Sequence, residues 1–314
     1  MSLTHGGFIM LRSIKLQSIP LTDFINRKKV GVILRVFAAQ ERDIPKRVEM
    51  IKGFIEQAQA ITILGKPVFR QIDVLVWADQ EYDLKDCGQT AAAMRKALHG
   101  YKQVRVHEIE HGDLFCATLN FGIGIQSRAG VDYSMIASAE ARTYLNQVTI
   151  ERMIQALCDG ARATGVAINE LTPSILEGRL ANTFAIWHNI SLQTVGLFDL
   201  TADMPHDLRF ADFKRGWHEK VGVVHYHTAG VEEVIPLARM VVIFGACIAP
   251  VLPCQDDGQE VHYEEPDPAT QPELYQRHVS KMGTKLERQT AHLAQVKCDI
   301  TYLKGGVMKK YRRF

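Results

Sequence analysis

The sequence predicts an α/β protein: a mostly parallel sheet with helices on both faces, followed by a long C-terminal helix. Three observations carry this. The first half alternates apolar strand-like runs with amphipathic helical segments, the pattern of parallel strands joined by crossover helices. Its strands read as nearly unbroken apolar runs, as in sheets buried on both faces. The last forty residues carry an apolar repeat of four and three. With 314 residues, 46% of them hydrophobic, the chain has ample material for a core, and its 37 basic and 35 acidic residues leave a net charge of only +2. That composition excludes disorder and a broadly basic nucleic-acid-binding surface.

The elements follow in order. Residues 30–37 form a buried strand. Asp43 and Pro45 open a helix whose face is Val48, Ile51, Ile55 and Ala58. Residues 72–77 form a second strand, ending at Asp79, and a helix from about Thr90 to Leu98 closes at Gly100. Residues 104–109 are a third strand. A small helix opens over 115–125, Asp132–Ala137 is a fourth strand, and Ile150, Met153, Ile154, Leu157 and Ala161 share a helical face. Gly165–Ile168 reads as another strand and 170–187 as a loop. The apolar stretch Leu237–Cys254, cut by Arg239, Pro250 and Pro253, is a helix or strand with a turn and not a membrane span. The six cysteines are scattered without a C-x-x-C pair, and no secretory leader is evident, so reduced thiols and a cytoplasmic location are expected.

At the C-terminus, Tyr275, Val279, Met282, Leu286, Gln289, Leu293, Val296, Ile300, Leu303 and Val307 form a seam that Gly305-Gly306 should end. It would lie either on the chain's own domain or against a second copy, as a homodimer. Phosphate motifs are weak: Gly122-Ile123-Gly124 lacks the third glycine of a dinucleotide fingerprint, and no P-loop occurs. His225 and His227 alternate toward one face, which could begin a metal site but more often is hydrogen-bonded structure.

A wider set of residues is more informative. Asp79 ends the second strand; Leu119-Asn120-Phe121-Gly122-Ile123 follows the third. Asp132-Tyr133 begins a strand reaching Ser138-Ala139-Glu140; then come Trp187-His188, Val195-Gly196-Leu197-Phe198-Asp199, and Glu232-Glu233 with Arg239. In this order they resemble the inverting glycosyltransferases of GT-A fold, over residues 28–253. The resemblance implies a nucleotide-diphosphate sugar as donor and a saccharide or other hydroxyl acceptor. It implies a nucleotide pocket at Phe37, Ala39, Gln40, Asp79, Asn120 and Gly122, with Asp79 on the base and the helix start at Asn120 and Gly122 facing anions. It places Trp187 and His188 near the acceptor and Glu233, beside Glu232, as the base that deprotonates the acceptor hydroxyl. The bland alternatives are a strand-end turn for Asp79 and a solvated acidic helix start for Glu233.

The family's D-x-D motif, which holds a divalent ion (Mn or Mg), falls on Ser138 and Glu140, where the first carboxylate is missing. Three readings stay open. The protein is metal-independent, with Arg35, Arg128 or the histidines supplying charge; or it binds a nucleotide sugar without transferring it; or it is an unrelated α/β metal-dependent enzyme. The expected organisation is a transferase-like domain at 28–253, a linker at 254–272 and a helical extension at 273–314. Asp79, Glu140 and Glu233 should line one cleft at the carboxyl ends of the strands.

Overall fold

The structure, a computed structural model, describes residues 16–36, 38, 41–77, 89–109, 115–167, 178–200, 231–255 and 285–312, with single positions and short runs between 257 and 279. Its centre is a seven-stranded sheet in the order β5-β4-β1-β6-β8-β7-β9. The strands are β1 (Val30–Val36), β4 (Phe69–Trp77), β5 (Val104–Ile109), β6 (Tyr133–Ala137), β7 (Ala163–Val166), β8 (Phe184–His188) and β9 (Ile248–Val251); β2 (Thr62–Ile63) and β3 (Lys66–Pro67) make a separate hairpin. All pairings in the large sheet are parallel except those of β8, which runs antiparallel to both β6 and β7. This is the mostly parallel sheet, covered by helices on both faces, that the sequence predicts.

Strand β1 sits in the middle because six of its seven residues are buried and only Arg35 is partly exposed. Such a strand must be covered on both faces. On one face lie α1 (Leu21–Arg27), α2 (Ile44–Ala60), α3 (Gln89–Leu98) and α5 (Gln147–Cys158), contributing Phe24, Phe54, Met94 and Ile154 to one core. On the other lie α4 (Phe115–Arg128), α6 (Asn189–Thr194) and α7 (Val234–Phe244), with Leu119, Leu192 and Leu237 in a second core. Pro45 sits in the first turn of α2 as expected, but Asp43 makes no side-chain cap bond. Asn146 does cap α5, accepting from the Thr149 amide at 2.9 Å.

Two departures from the expected elements matter. The segment read as loop up to Trp187 ends in strand β8, whose five residues are all buried. A short, wholly buried strand shows no alternation, so periodicity misses it. The C-terminal seam is also not one helix. It forms α8 (Lys285–Gln295) and α9 (Ile300–Gly306), separated where Lys297 adopts φ 56° and Asp299 caps α9 by accepting from the Thr301 amide at 2.8 Å. Gly306 closes α9, near where the two glycines should end the seam.

Gln289, Leu293, Leu303 and Val307 are buried within the chain's own two cores, and α8 and α9 both pack on α7. The Cys247 amide donates to Gly306 O and the Met308 amide to Ile248 O, both at 2.9 Å, so the tail lies along the edge of β9. Those seam residues are therefore buried within the chain itself. The end of the chain is an integral layer of the domain. No helix among the described residues is long and apolar enough to cross a membrane.

Candidate functional site

From β1 the chain winds outward through β4 and β5, then crosses back to place β6 on the other side of β1. The two flanking connections diverge there and leave a crevice beyond the carboxyl ends of the strands, the usual ligand position in open α/β sheets. A cleft of about 160 Å³ occupies this point, with Arg35 from β1, Arg47 from the start of α2, Phe115 from the start of α4, Ser138 and Glu140 beyond β6, and Thr183 before β8 in its wall.

Its described lining includes two arginines and one acid. The Arg35 guanidinium lies 5.2 Å from the centre of the Phe115 ring. Arg47 donates to Glu140 Oε1 at 2.6 Å. Ser138 is the pivot on the other side: its hydroxyl donates to Glu140 Oε2 and accepts from the Glu140 amide at 3.3 Å. Desolvation at the cleft pushes the Glu140 carboxyl up, but the hydrogen bonds from Ser138, its own backbone and Arg47, with the Arg47 charge, together hold it below the usual value. The Glu140 side chain is 59% exposed, so the ion pair contributes only about 0–1 kcal/mol. Phe115 begins α4, so the positive end of a fourteen-residue helix also faces the cleft.

These donors do not suit a divalent ion. Among the described residues Glu140 is the only carboxylate in the cleft wall, both its oxygens are engaged, and a guanidinium beside it repels a second cation. No group of three metal-ligating side chains occurs among the described residues. Ser138 and Glu140 thus line the expected place, and no further carboxylate joins them among the described residues.

The remaining expected residues divide sharply. Phe37, Ala39, Gln40, Asp79 and the His225/His227 pair lie outside the described residues. Asn120 and Gly122 are not at a helix start, because α4 begins five residues before Asn120. Asn120 instead clamps the Phe198 backbone, donating to its carbonyl at 2.8 Å and accepting from its amide at 3.0 Å. Gly122 lets α4 lie close on the sheet: an added Cβ would come within 2.9 Å of Ile33. The anion-facing helix end is therefore Phe115.

Trp187 and His188 lie away from the cleft, because β8 is antiparallel. Its last residue, His188, pairs with Tyr133 at the amino end of β6, whereas its first, Phe184, pairs with Ala137 near the cleft. Trp187 is fully buried, edge-on to Phe198 at 5.2 Å. His188 shares a 2.7 Å hydrogen bond between Nδ1 and Ser191 Oγ. Burial, with Arg162 and Lys28 nearby, pushes its pKa down to about 4. An unfolded chain takes up this proton near pH 6.5 while the folded chain resists it, so His188 should lower stability as pH falls from 6.5 toward 4, by about 3 kcal/mol in all. Urea titrations at stepped pH check this: His188→Gln should flatten that slope.

Glu232 and Glu233 precede α7 and are 2% and 1% exposed. Neither belongs to the cleft wall. Glu233 Oε1 accepts from Arg179 Nε at 3.1 Å and Nη2 at 2.8 Å, and Oε2 has no hydrogen-bond partner. Glu232 accepts from Asn182, the neighbour of the cleft residue Thr183. Of the three carboxylates expected to share a cleft, Glu140 lines it, Glu233 is buried outside its lining against Arg179, and Asp79 is not described.

Several of the quoted motifs do meet, but as scaffold. Asn120 holds Phe198, Phe198 packs on Trp187, and the next residue, Asp199, pairs with Arg239 at 2.7 Å. Arg47 is the cleft residue that the sequence reading missed. Its signal was position: it lies in the opening turn of the helix after the first strand, which faces the crevice in sheets of this kind.

No protein-family model matches the chain, and no curated protein matches it. Similar solved structures include a cytidylyltransferase from Leptospira borgpetersenii serovar Hardjo-bovis, at 12% identity and TM-score 0.35, over 54% of this chain and 64% of that one. Glucosyl-3-phosphoglycerate synthase from Mycobacterium tuberculosis, in complex with UDP, matches at 11% identity and TM-score 0.44, over 93% of this chain and 86% of that one. The same enzyme with Mn2+, UDP-glucose and phosphoglyceric acid matches at 12% identity and TM-score 0.44, over 87% and 82%.

Proposed function

We propose that the chain binds a nucleotide-activated sugar, with the diphosphate in the cleft between β1 and β6, and passes the sugar to a hydroxyl of a saccharide or other acceptor. The observation that supports this most is the position of the cleft: it lies at the point where the strand order reverses and presents two guanidinium groups and a helix N-terminus to an anion. In the transfer, the acceptor oxygen bonds to the anomeric carbon as the bond from that carbon to the diphosphate breaks, and the electron pair leaves with the diphosphate. The hydroxyl proton needs a base. Glu233 is the candidate, through Oε2, since Oε1 is held by Arg179.

A second reading, binding without transfer, is favoured by one observation: Glu233 is buried in an ion pair with Arg179 and is not among the residues that line the cleft. Titration calorimetry with UDP, GDP, CDP and ADP tests the shared part. Saturable binding of at least one, lost in Arg35→Gln, is expected, and silence toward all four overturns both readings. Release of nucleoside diphosphate from a bound nucleotide sugar by the wild type but not by Glu233→Gln separates transfer from binding.

A further inference from the structure

We propose that the C-terminal edge of the domain is a membrane-contact surface: Lys304, Lys309 and Arg312 meet the headgroups of an anionic bilayer, while Val242 and Tyr302 enter its interface. This does not rest on the reading of the cleft.

Charge is unevenly placed in this chain. Six basic residues and one acid lie between Lys297 and Phe314, although the whole chain carries a net charge of only +2. A basic run of this kind is commonly a solvated tail. Here it is fixed to the fold. Tyr311 is buried, and its hydroxyl donates to Asp159 Oδ2 at 2.7 Å, beside Lys310 Nζ at 2.6 Å. Arg312 turns back onto the end of α9, donating from Nε to Val307 O at 2.9 Å and from Nη2 to Gly305 O at 3.2 Å. Its guanidinium therefore stands by the last turn of α9, which carries Lys304. Lys309 follows in the single turn Lys309–Tyr311. Lys310 is taken up by Asp159, but Lys304, Lys309 and Arg312 are exposed and have no carboxylate partner among the described residues.

Apolar groups flank these cations. At Gly306, α9 lies directly on α7, with no room for a Cβ beside Val241. The next residue of α7, Val242, is 59% exposed, and Tyr302, one turn before Gly306, is 43% exposed. A polyanion such as RNA would use the cations and the ring but gain nothing from Val242. A bilayer takes all five groups, because apolar side chains and tyrosine are favoured just below the charged headgroups. The surface lies at the amino end of β9, where Ile248 bridges Val307, whereas the cleft lies beyond the carboxyl ends of β1 and β6. Seating the one on a membrane leaves the other open.

The test is co-sedimentation of the full chain with vesicles of phosphatidylcholine alone, and of phosphatidylcholine and phosphatidylglycerol in equal parts. The wild type should bind the mixed vesicles and not the neutral ones, less so as salt is raised. Lys304→Gln with Lys309→Gln should weaken binding by about twenty- to thirtyfold, since each basic group near an anionic surface contributes about fivefold. Lys102→Gln with Arg105→Gln removes the same charge from exposed positions at β5, the opposite edge of the sheet, and should change binding by less than about twofold. Val242→Ser with Tyr302→Ser should weaken binding by about tenfold with charge unchanged. Circular dichroism checks that each variant is folded, as expected for exposed positions. The proposal is overturned if the mixed vesicles are not bound, if the two charge-removing pairs lose binding equally, or if the apolar pair loses none. Tighter binding of polyuridine RNA than of vesicles, unaffected in the apolar pair, assigns the surface to nucleic acid and also overturns it.

Discussion

Replacing Arg179 with Met should destabilise the protein by about 3–5 kcal/mol, because it leaves a buried carboxylate without its counter-charge. Arg179 and Glu233 side chains are 4% and 1% exposed, and two guanidinium nitrogens converge on one carboxylate oxygen. The pair attracts strongly only because water is excluded, and the same exclusion makes the remaining charge costly once its partner is removed. Urea unfolding followed by circular dichroism measures the loss. Adding Glu233→Leu to Arg179→Met should recover most of it, since an apolar pair avoids burying a lone charge. If the double variant is no more stable than the single, the cost comes from lost packing around Arg179 and not from Glu233. The pair also joins the segment before β8 to the start of α7, so its loss should loosen Asn182 and Thr183 at the cleft wall.

Asp73→Ala should cost about 3 kcal/mol, for a related reason. Asp73 is fully buried in β4, beside the central strand. Its Oδ2 accepts from Gln71 Nε2 at 2.6 Å and Gln126 Nε2 at 3.0 Å, and its Oδ1 lies 2.8 Å from His107 Nε2. Gln126 also donates to Val32 O at 2.9 Å and accepts from the Ser134 hydroxyl at 2.6 Å, so the network ties α4 to β1, β4 and β6. It fits only because Gly31 has no side chain: a Cβ there would stand 2.6 Å from Gln126 Oε1. Asp73→Asn should cost less than Asp73→Ala, because one acceptor oxygen is kept for the two glutamine amides and the new NH2 can donate to His107 Nε2 in its other tautomer. Equal losses in the two variants would mean that charge, not hydrogen bonding, carries the effect. Guanidinium unfolding curves for both, at one pH, decide it.

Much of the fold was legible because its signals are local. β1, β5, β6 and the faces of α2 and α5 follow from apolar runs and helical periodicity that each segment carries by itself. The two groups missed or misplaced have a common cause. Strand β8 is fully buried, so it shows no alternation, and its antiparallel direction depends on how the preceding segment returns to the sheet. That direction carried Trp187 and His188 to the far edge. Likewise Asn120 was read as a nucleotide-facing helix start but hydrogen-bonds the Phe198 backbone, because such a residue reads the same in sequence whether it meets a ligand or a backbone amide.

The C-terminal seam shows the same division. Of the residues its spacing singled out, Leu293, Leu303 and Val307 are buried while Val279 is exposed. It could not say against what, because an apolar stripe fits a second copy as well as it fits α7. The sequence by itself determined the class of fold, its central strands and which residues face a core, since these depend on neighbours a few positions apart. The tertiary structure alone decided that Glu233 is paired with Arg179 and that Arg47 pairs with Glu140 in the cleft wall. Those facts join residues 54 and 93 positions apart in the chain, and charge and burial at such contacts are set by the packing of the whole sheet.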